Sequence, residues 1–291
     1  MRWLSRKRHM VLMLLPAVAI YSVFLVLPVI YAAYYSFTNS NGVTKAKLVG
    51  VANYRNLVDD HLFWNSLKNS GIIVGVGLVV LLPAAFFVAI LLSGKIPGSG
   101  FLRASIFGPA IIAPILVGLV WVYILDPHLG LVNRALSAVG IPWQPQWIGG
   151  TKWTPFVVGL VFVWQQLGFV MTIFYAGLRS LPSDVVEAVQ IDGASAWQRI
   201  RYITFPMMRE PFGICAALVI TGALKVFELV YVLTSGGPAH LSDVLATYMY
   251  SVTFGDFHYG YGMSLSIALT LLGIVGAVLS LSLVRRRGDY T

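Results

Sequence analysis

Charged residues are scarce in this chain: Asp, Glu, Lys and Arg together supply 11% of its 291 residues. Soluble domains carry about a quarter. With 58% hydrophobic residues and a mean hydropathy of +0.80, a water-soluble fold of this length could not hide its apolar surface. Lipid has to be the solvent for much of the chain. The single cysteine, Cys215, excludes an internal disulfide and a cysteine-based metal cage. It lies in an apolar run and reads as a small buried hydrophobe. Five histidines (His9, His61, His128, His240, His258) are scattered without ligand-like spacing, so no metal is expected. No Ser/His/Asp or paired-carboxylate arrangement supports enzymatic work. The Gly94-Lys95 pair is followed by Ile96 and has Ala89 where the first glycine of a P-loop would stand, so that nucleotide site is absent. Neither an enzyme nor a resident cofactor is expected.

What is present is a series of apolar runs. A spanning helix needs about 20 mostly apolar residues. Six stretches qualify: Val11–Tyr35, Ile72–Leu92, Ser105–Leu125, Pro155–Leu178, Phe212–Leu233 and Met263–Val284. Trp121, Tyr123, Trp143, Trp147 and Trp153 look like interfacial anchors that would lengthen the third and fourth. Arg2, Arg6, Lys7 and Arg8 before the first run resemble the start of a secretory signal. The run is too long for a signal core, and no small-residue cleavage site follows. It reads as a retained first helix. The fold class expected is an all-α membrane protein of about six spans.

The net charge of +9 sits at the ends of these runs and not in a basic domain, which argues against nucleic acid. With six spans both termini share a side. Thirteen Lys and Arg fall on the side of the termini and six on the other, with Lys225 inside span five. The positive-inside rule then puts both termini in the cytoplasm. Outside lie Ser36–Lys68, Asp126–Thr154 and Thr234–Tyr259; inside lie Ser93–Arg103 and Arg179–Pro211. No internal repeat is visible, so residues 1–291 read as one membrane domain.

Arg179–Pro211 differs from the rest. Asp184 stands three residues before Glu187, a start signal for a short helix, and Asp192-Gly193 ends it. Ser195 followed by Gln198 opens a second helix, which Pro206 is expected to limit. Two short helices joined by a tight turn can rest on the headgroups or dock a cytoplasmic partner.

This segment resembles the EAA loop of ABC-importer permeases, whose pattern is E-A-A, three residues, G, nine residues, I, one residue, L-P. Here the pattern is met by Glu187-Ala188-Val189, Gly193, Ile203 and Phe205-Pro206 with every spacing kept. Val189 and Phe205 stand where the family has alanine and leucine. The resemblance covers nearly the whole chain and points to the carbohydrate branch, near the maltose and glycerol-phosphate permeases. Gly50-Val51-Ala52-Asn53-Tyr54, Phe63-Trp64, Asp126-Pro127, Gly130-Leu131-Val132-Asn133, Lys225-Val226-Phe227-Glu228 and Thr234-Ser235-Gly236-Gly237-Pro238 resemble its other landmarks in order.

The resemblance implies a type I importer permease fold in which the helix before Gly193 seats in a groove on an ATPase subunit. Glu187, Ala188, Val189, Asp192, Gly193, Ala194, Ile203 and Pro206 would carry that coupling. Glu187 either pairs with a basic residue of the ATPase or caps its own helix. The implied partners are a second permease subunit, two ATPase subunits that hold ATP and magnesium, and an external solute-binding protein. The implied location is a bacterial or archaeal plasma membrane. The implied solute is an oligosaccharide, with a sugar phosphate or polyol next, and the partner permease can hold most of its contacts.

Polar groups at membrane depth are the remaining clue, since each is costly unless it faces protein or water. Span four carries Trp164, Gln165 and Gln166; span five carries Lys225 and Glu228. Amides bond sugar hydroxyls and aromatic faces cover sugar C–H groups. Equally, a glutamine can bond a neighbouring helix, and Lys225 and Glu228 can form an ion pair within one helix. The functional alternatives are an ion-coupled secondary transporter, which would usually show a repeat and buried carboxylates, and a membrane enzyme or assembly protein.

Overall fold

The computed structural model describes residues 7–94, 96–143, 145–150, 153–182, 184, 193 and 195–285. Those residues form helices and loops, with one isolated bridge between Thr38 and Leu48. In lipid the helix is the natural answer, because it satisfies its own backbone polar groups. The helices in order are α1 (Lys7–Tyr21), α2 (Leu27–Tyr35), α3 (Ala52–Asp59), α4 (His61–Val76), α5 (Leu82–Ser93), α6 (Ser99–Ile111), α7 (Pro114–Ile124) and α8 (Leu131–Ala138). Then follow α9 (Thr154–Arg179), α10 (Ala196–Arg199), α11 (Phe205–Met207), α12 (Arg209–Leu224), α13 (Glu228–Thr234), α14 (Leu245–Tyr250) and α15 (Tyr259–Arg285).

Four continuous stretches are long and apolar enough to cross a membrane: Met13–Tyr35, His61–Ser93, Thr154–Arg179 and Tyr259–Ser282. Two bent pairs bring the number to six if each counts as one span: Ser99–Ile111 with Pro114–Ile124, bent by 95°, and Ala196–Met207 with Arg209–Leu224, bent by 69°. The expected third and fifth spans are therefore not straight rods. Pro114 cannot donate to the ladder, and α6 stops at Ile111 before it. In the expected fifth span, Phe212–Leu233, the helix stops at Leu224 and resumes at Glu228.

Proline also explains three π turns. Ser22–Val26, Gly77–Leu81 and Ile200–Thr204 each run into a helix whose second residue is proline: Pro28, Pro83 and Pro206. The proline ring crowds the carbonyl four residues back, and a widened turn relieves that clash. The helix opened at Ser195 ends at Met207, one residue past Pro206, and the chain bends at Met208.

The chain divides into two compact units, residues 1–60 with 249–270, and residues 61–248 with 271–291. In the larger, α9 is the central helix, burying Val158, Val161, Val170, Met171 and Phe174 against α4, α5 and α6. Without a strong hydrophobic drive between helices in lipid, close backbone approach supplies the packing. At Gly168 a Cβ would lie 2.3 Å from the Ile106 carbonyl oxygen, and at Gly118 2.9 Å from Val232 Cβ. Helix α4 reaches further than the apolar run predicted, back to His61. Its polar face explains why: Asn65 Nδ2 donates to the Leu241 carbonyl, Asn69 Nδ2 to those of Leu241 and Asp243, and the Leu245 N–H donates to Ser70 Oγ. Satisfied by the segment before α14, those residues extend the helix.

In the smaller unit, Asn53 of the Gly50–Tyr54 motif acts as a staple. Its Nδ2 donates to the Ser36 and Thr38 carbonyls at 2.7 and 2.8 Å, and Tyr54 shares a 2.7 Å hydrogen bond with Ser36 Oγ.

Candidate functional site

Two of the helix breaks meet at one cleft of about 360 Å³ in the larger unit. Pro114, just past the first break, lines it together with Gln165 and Gln166 of α9 and with Lys225, Val226 and Glu228 around the second break. Irregular backbone at membrane depth is tolerated where it is packed in protein or borders a cavity, and both breaks meet that condition. Four of the five depth residues picked from sequence thus share one cleft. Trp164 does not: it turns away, edge-on to Trp121 at 5.6 Å, and is 40% exposed.

The two glutamines separate in role. Gln165 is buried, and its Nε2 donates at 3.0 Å to the Ile112 carbonyl. That carbonyl caps the end of α6, where the ladder is interrupted, so Gln165 satisfies the backbone group that the break exposes. The helix-bonding reading holds for this residue. Gln166, half-buried, keeps its amide available to the cleft among the described residues.

Lys225 and Glu228 do not form an ion pair. They flank a non-helical step and are not one turn apart on a helix: Lys225 is the C-cap of α12 and Glu228 the first residue of α13. Both are exposed. Among the described residues the one ion contact joins His240 Nδ1 and Asp243 Oδ2 at 2.7 Å, in the segment before α14. Phe162, Phe169 and Leu229 supply the apolar wall of the cleft. It therefore offers one amide, one cation and one anion against hydrocarbon, the composition expected where a polar solute passes. The breaks were not read from the sequence. Pro114 signalled the first; nothing but the charged pair itself marked the second.

Of the coupling residues, Glu187, Ala188, Val189, Asp192 and Ala194 lie outside the described residues. Gly193 has φ +72° with open space around it, the left-handed conformation expected where a helix ends in a sharp turn. Ser195 and Gln198 form a reciprocal capping box: the Gln198 N–H donates to Ser195 Oγ and the Ser195 N–H to Gln198 Oε1. Ile203 sits in the π turn before Pro206. Phe205, the departure from the leucine of the pattern, joins an aromatic cluster: its ring lies 5.0 Å from Phe212 and 6.2 Å from Phe86, and Phe174 lies 4.5 Å from Phe212. Sequence reasoning did not foresee this contact chain, which ties the end of the loop to α5, α9 and α12.

The remaining landmarks are structural. Asp126 Oδ1 accepts from the His128 and Leu129 N–H groups. Those backbone donors, Leu129 first, hold its carboxyl below the usual value of 3.8. Trp147 Nε1 donates to Asn133 Oδ1 at 2.7 Å, and Asn133 Nδ2 to the Pro127 carbonyl. Of the tryptophans expected as interfacial anchors, three cluster in this loop, Trp143 lying 5.2 Å from Trp147 and 5.8 Å from Trp153, while Trp121 is on α7. Gly236 (φ +77°) faces the Asp243 carboxylate, which a Cβ would strike at 2.3 Å.

Residues 82–288 match the family of binding-protein-dependent transport system inner membrane components, and the chain belongs to that family. It is thus the membrane permease component of an ABC importer, and the ion-coupled alternative is without support. It is 30% identical to the trehalose/maltose transport system permease of Thermococcus litoralis, over 96% of this chain and 94% of that one. It is 28% identical to the lactose transport system permease of Rhizobium radiobacter, over 94% and 92%. It is 29% identical to the multiple sugar-binding transport system permease of Streptococcus mutans, over 91% of each. Its fold matches a chain in the crystal structure of a bacterial ABC transporter that imports the acidic polysaccharide alginate, with a TM-score of 0.82, 23% identity and 97% coverage of both.

Proposed function

We propose that this chain carries a sugar or oligosaccharide, as one permease of a heterodimer served by two ATPase subunits and an external solute-binding protein. The family assignment supports the binding-protein partner, and three relatives are named for the transport of trehalose/maltose, lactose and multiple sugars. The observation that carries the reading is the cleft itself, where Gln166, Lys225 and Glu228 stand at a broken helix beside aromatic walls. Gln166 bonds solute hydroxyls, and the ring of Phe162 or Phe169 covers a sugar C–H face.

Both termini face the cytoplasm of a bacterial or archaeal cell, by the positive-inside bias. Residues 1–291 act as one permease domain, within which 179–211 is the coupling loop. ATP and magnesium bind the ATPase subunits and not this chain. When the nucleotide dimer closes, Glu187 to Gly193 move with it. The capped helix from Ala196 turns that motion into a rotation about Met208, where the chain bends by 69°, and the Phe205–Phe212–Phe174 cluster passes it to α9 and the cleft.

The test is reconstitution of the assembled transporter in vesicles with its binding protein. Loaded binding protein should stimulate ATP hydrolysis and sugar uptake. Gly193→Val, strained at φ +72°, should lower both while assembly persists. Unchanged uptake in that variant would remove the coupling role.

A further inference from the structure

The smaller unit contains two clefts that the transport reading does not use. One, of about 410 Å³, is lined by Asn39, Ser40, Asn53, Asn56, Asp60, His258 and Tyr261. The other, of about 450 Å³, shares Ser40 and adds Tyr35, Tyr259, Thr44 and Lys45. Both are built from residues 35–60 and 258–263: the end of α2, the segment after it with α3, and the start of α15, beside the loops that the proposed orientation places outside.

The hydrogen-bond inventory of the first cleft is specific. Asn53 is 8% exposed, and both of its amide hydrogens are committed to the Ser36 and Thr38 carbonyls. Its Oδ1 is therefore an acceptor presented to the cleft. Asn39 is the reverse: its Oδ1 takes the Lys47 N–H, so its Nδ2 is left to donate. Asn56 and the His258 ring are exposed and can do either. Asp60 is engaged by the Tyr261 hydroxyl at 2.6 Å. The cleft thus offers both donors and acceptors, with its one carboxylate already engaged. The second cleft adds the Tyr35 and Tyr259 rings, and the Tyr259 ring lies so close over Gly42 that a Cβ there would meet it at 2.7 Å. The floor is fixed, since the Gly260 N–H donates to the Ser40 carbonyl at 2.9 Å.

A hydroxyl both donates and accepts, and a pyranose adds an apolar C–H face that seats on an aromatic ring. An ammonium would need an open ring of acceptors, and an anion more than the single cation Lys45. Among the described residues no cluster of three His, Cys, Asp or Glu exists to hold a metal.

We propose that the two clefts around Ser40 form an outer carbohydrate-binding groove for a linear oligosaccharide, built from different residues than the transport cleft. The choice of sugar rests on the proposed function; the groove does not depend on transport. The groove would hold sugar at the surface of the permease independently of the binding protein.

The experiment uses the complete transporter in lipid nanodiscs without binding protein, titrated with maltotetraose and lactose by saturation-transfer NMR. At least one should bind saturably. Asn56→Ala with His258→Ala, both exposed positions, should weaken it about tenfold, the loss of two net hydrogen bonds, while Val139→Ala, exposed and lining neither cleft, leaves it unchanged. No saturable binding, equal affinity in the double variant, or an equal loss in Val139→Ala would each overturn the groove. Failure of the transport reading shows separately, as absence of ATP-driven sugar uptake by the complete wild-type system.

Discussion

Two helices of this protein break beside the same cleft, and the breaks are finished differently. At Ile112 the interrupted carbonyl is taken by Gln165 from the neighbouring helix at 3.0 Å. At the second break the chain's own turn carries the backbone, the Lys225 N–H donating to the Thr221 and Gly222 carbonyls and the Val226 N–H to that of Ala223, while the exposed Lys225 and Glu228 side chains line the cleft. A break capped from outside is fixed architecture. One whose polar groups stay available is a place for a solute to enter and for the helix to move. The difference assigns scaffold to the first and work to the second, although both interrupt apolar runs that read alike.

The largest effect belongs to the fixed side. Gly168→Val puts side-chain carbon against the Ile106 carbonyl, already 2.3 Å from a bare Cβ, and separates α6 from α9. We expect failure of assembly, read as loss of folded permease from the membrane. A well-folded variant would show that the close approach does not matter.

Next is Gln165→Leu, which leaves the Ile112 carbonyl without its donor in a low-dielectric setting. The expected loss is about 1–3 kcal/mol, read as a lower Tm of the purified complex. Transport per folded molecule should change less. If stability held while transport vanished, Gln165 would move to the working side.

Lys225→Met should do the opposite: Tm held within a few degrees, with uptake falling several-fold. An exposed lysine without an ion-pair partner contributes little stability, so an equally large drop in Tm would contradict the contrast between the two breaks.

Asp126→Ala is the smallest, touching neither break. It removes the acceptor for two turn N–H groups and should loosen only the loop before α8, read as faster amide exchange at His128 and Leu129. Because the carboxyl is held below 3.8, its contribution is present above that value. It fades as pH falls through the lowered value, so the protection of these two amides, taken relative to their intrinsic exchange rates, should be the same at neutral and mildly acidic pH.

Much of this was legible in the sequence because lipid imposes a simple rule: long apolar runs become helices. The Ser195–Gln198 capping box and the Gly193 turn were readable because local hydrogen bonding decides them. Four of the five depth residues were found because ionisable and amide groups in apolar runs need a reason. What escaped depends on distant partners. The outward extension of α4 needs the Leu241–Leu245 segment, and Gln165 needs Ile112. The break after Leu224 carries neither proline nor glycine. Trp164, chosen for its ring, pairs with Trp121, which no local pattern could announce.

The most direct test compares uptake with binding-protein-stimulated ATP hydrolysis in one reconstituted transporter carrying Gln166→Ala and Lys225→Met. If the cleft at the open break is the solute path, stimulated hydrolysis stays near the wild-type rate while sugar uptake falls at least about tenfold, a loss of roughly 1.4 kcal/mol. Uptake at the wild-type rate in that variant would contradict the account.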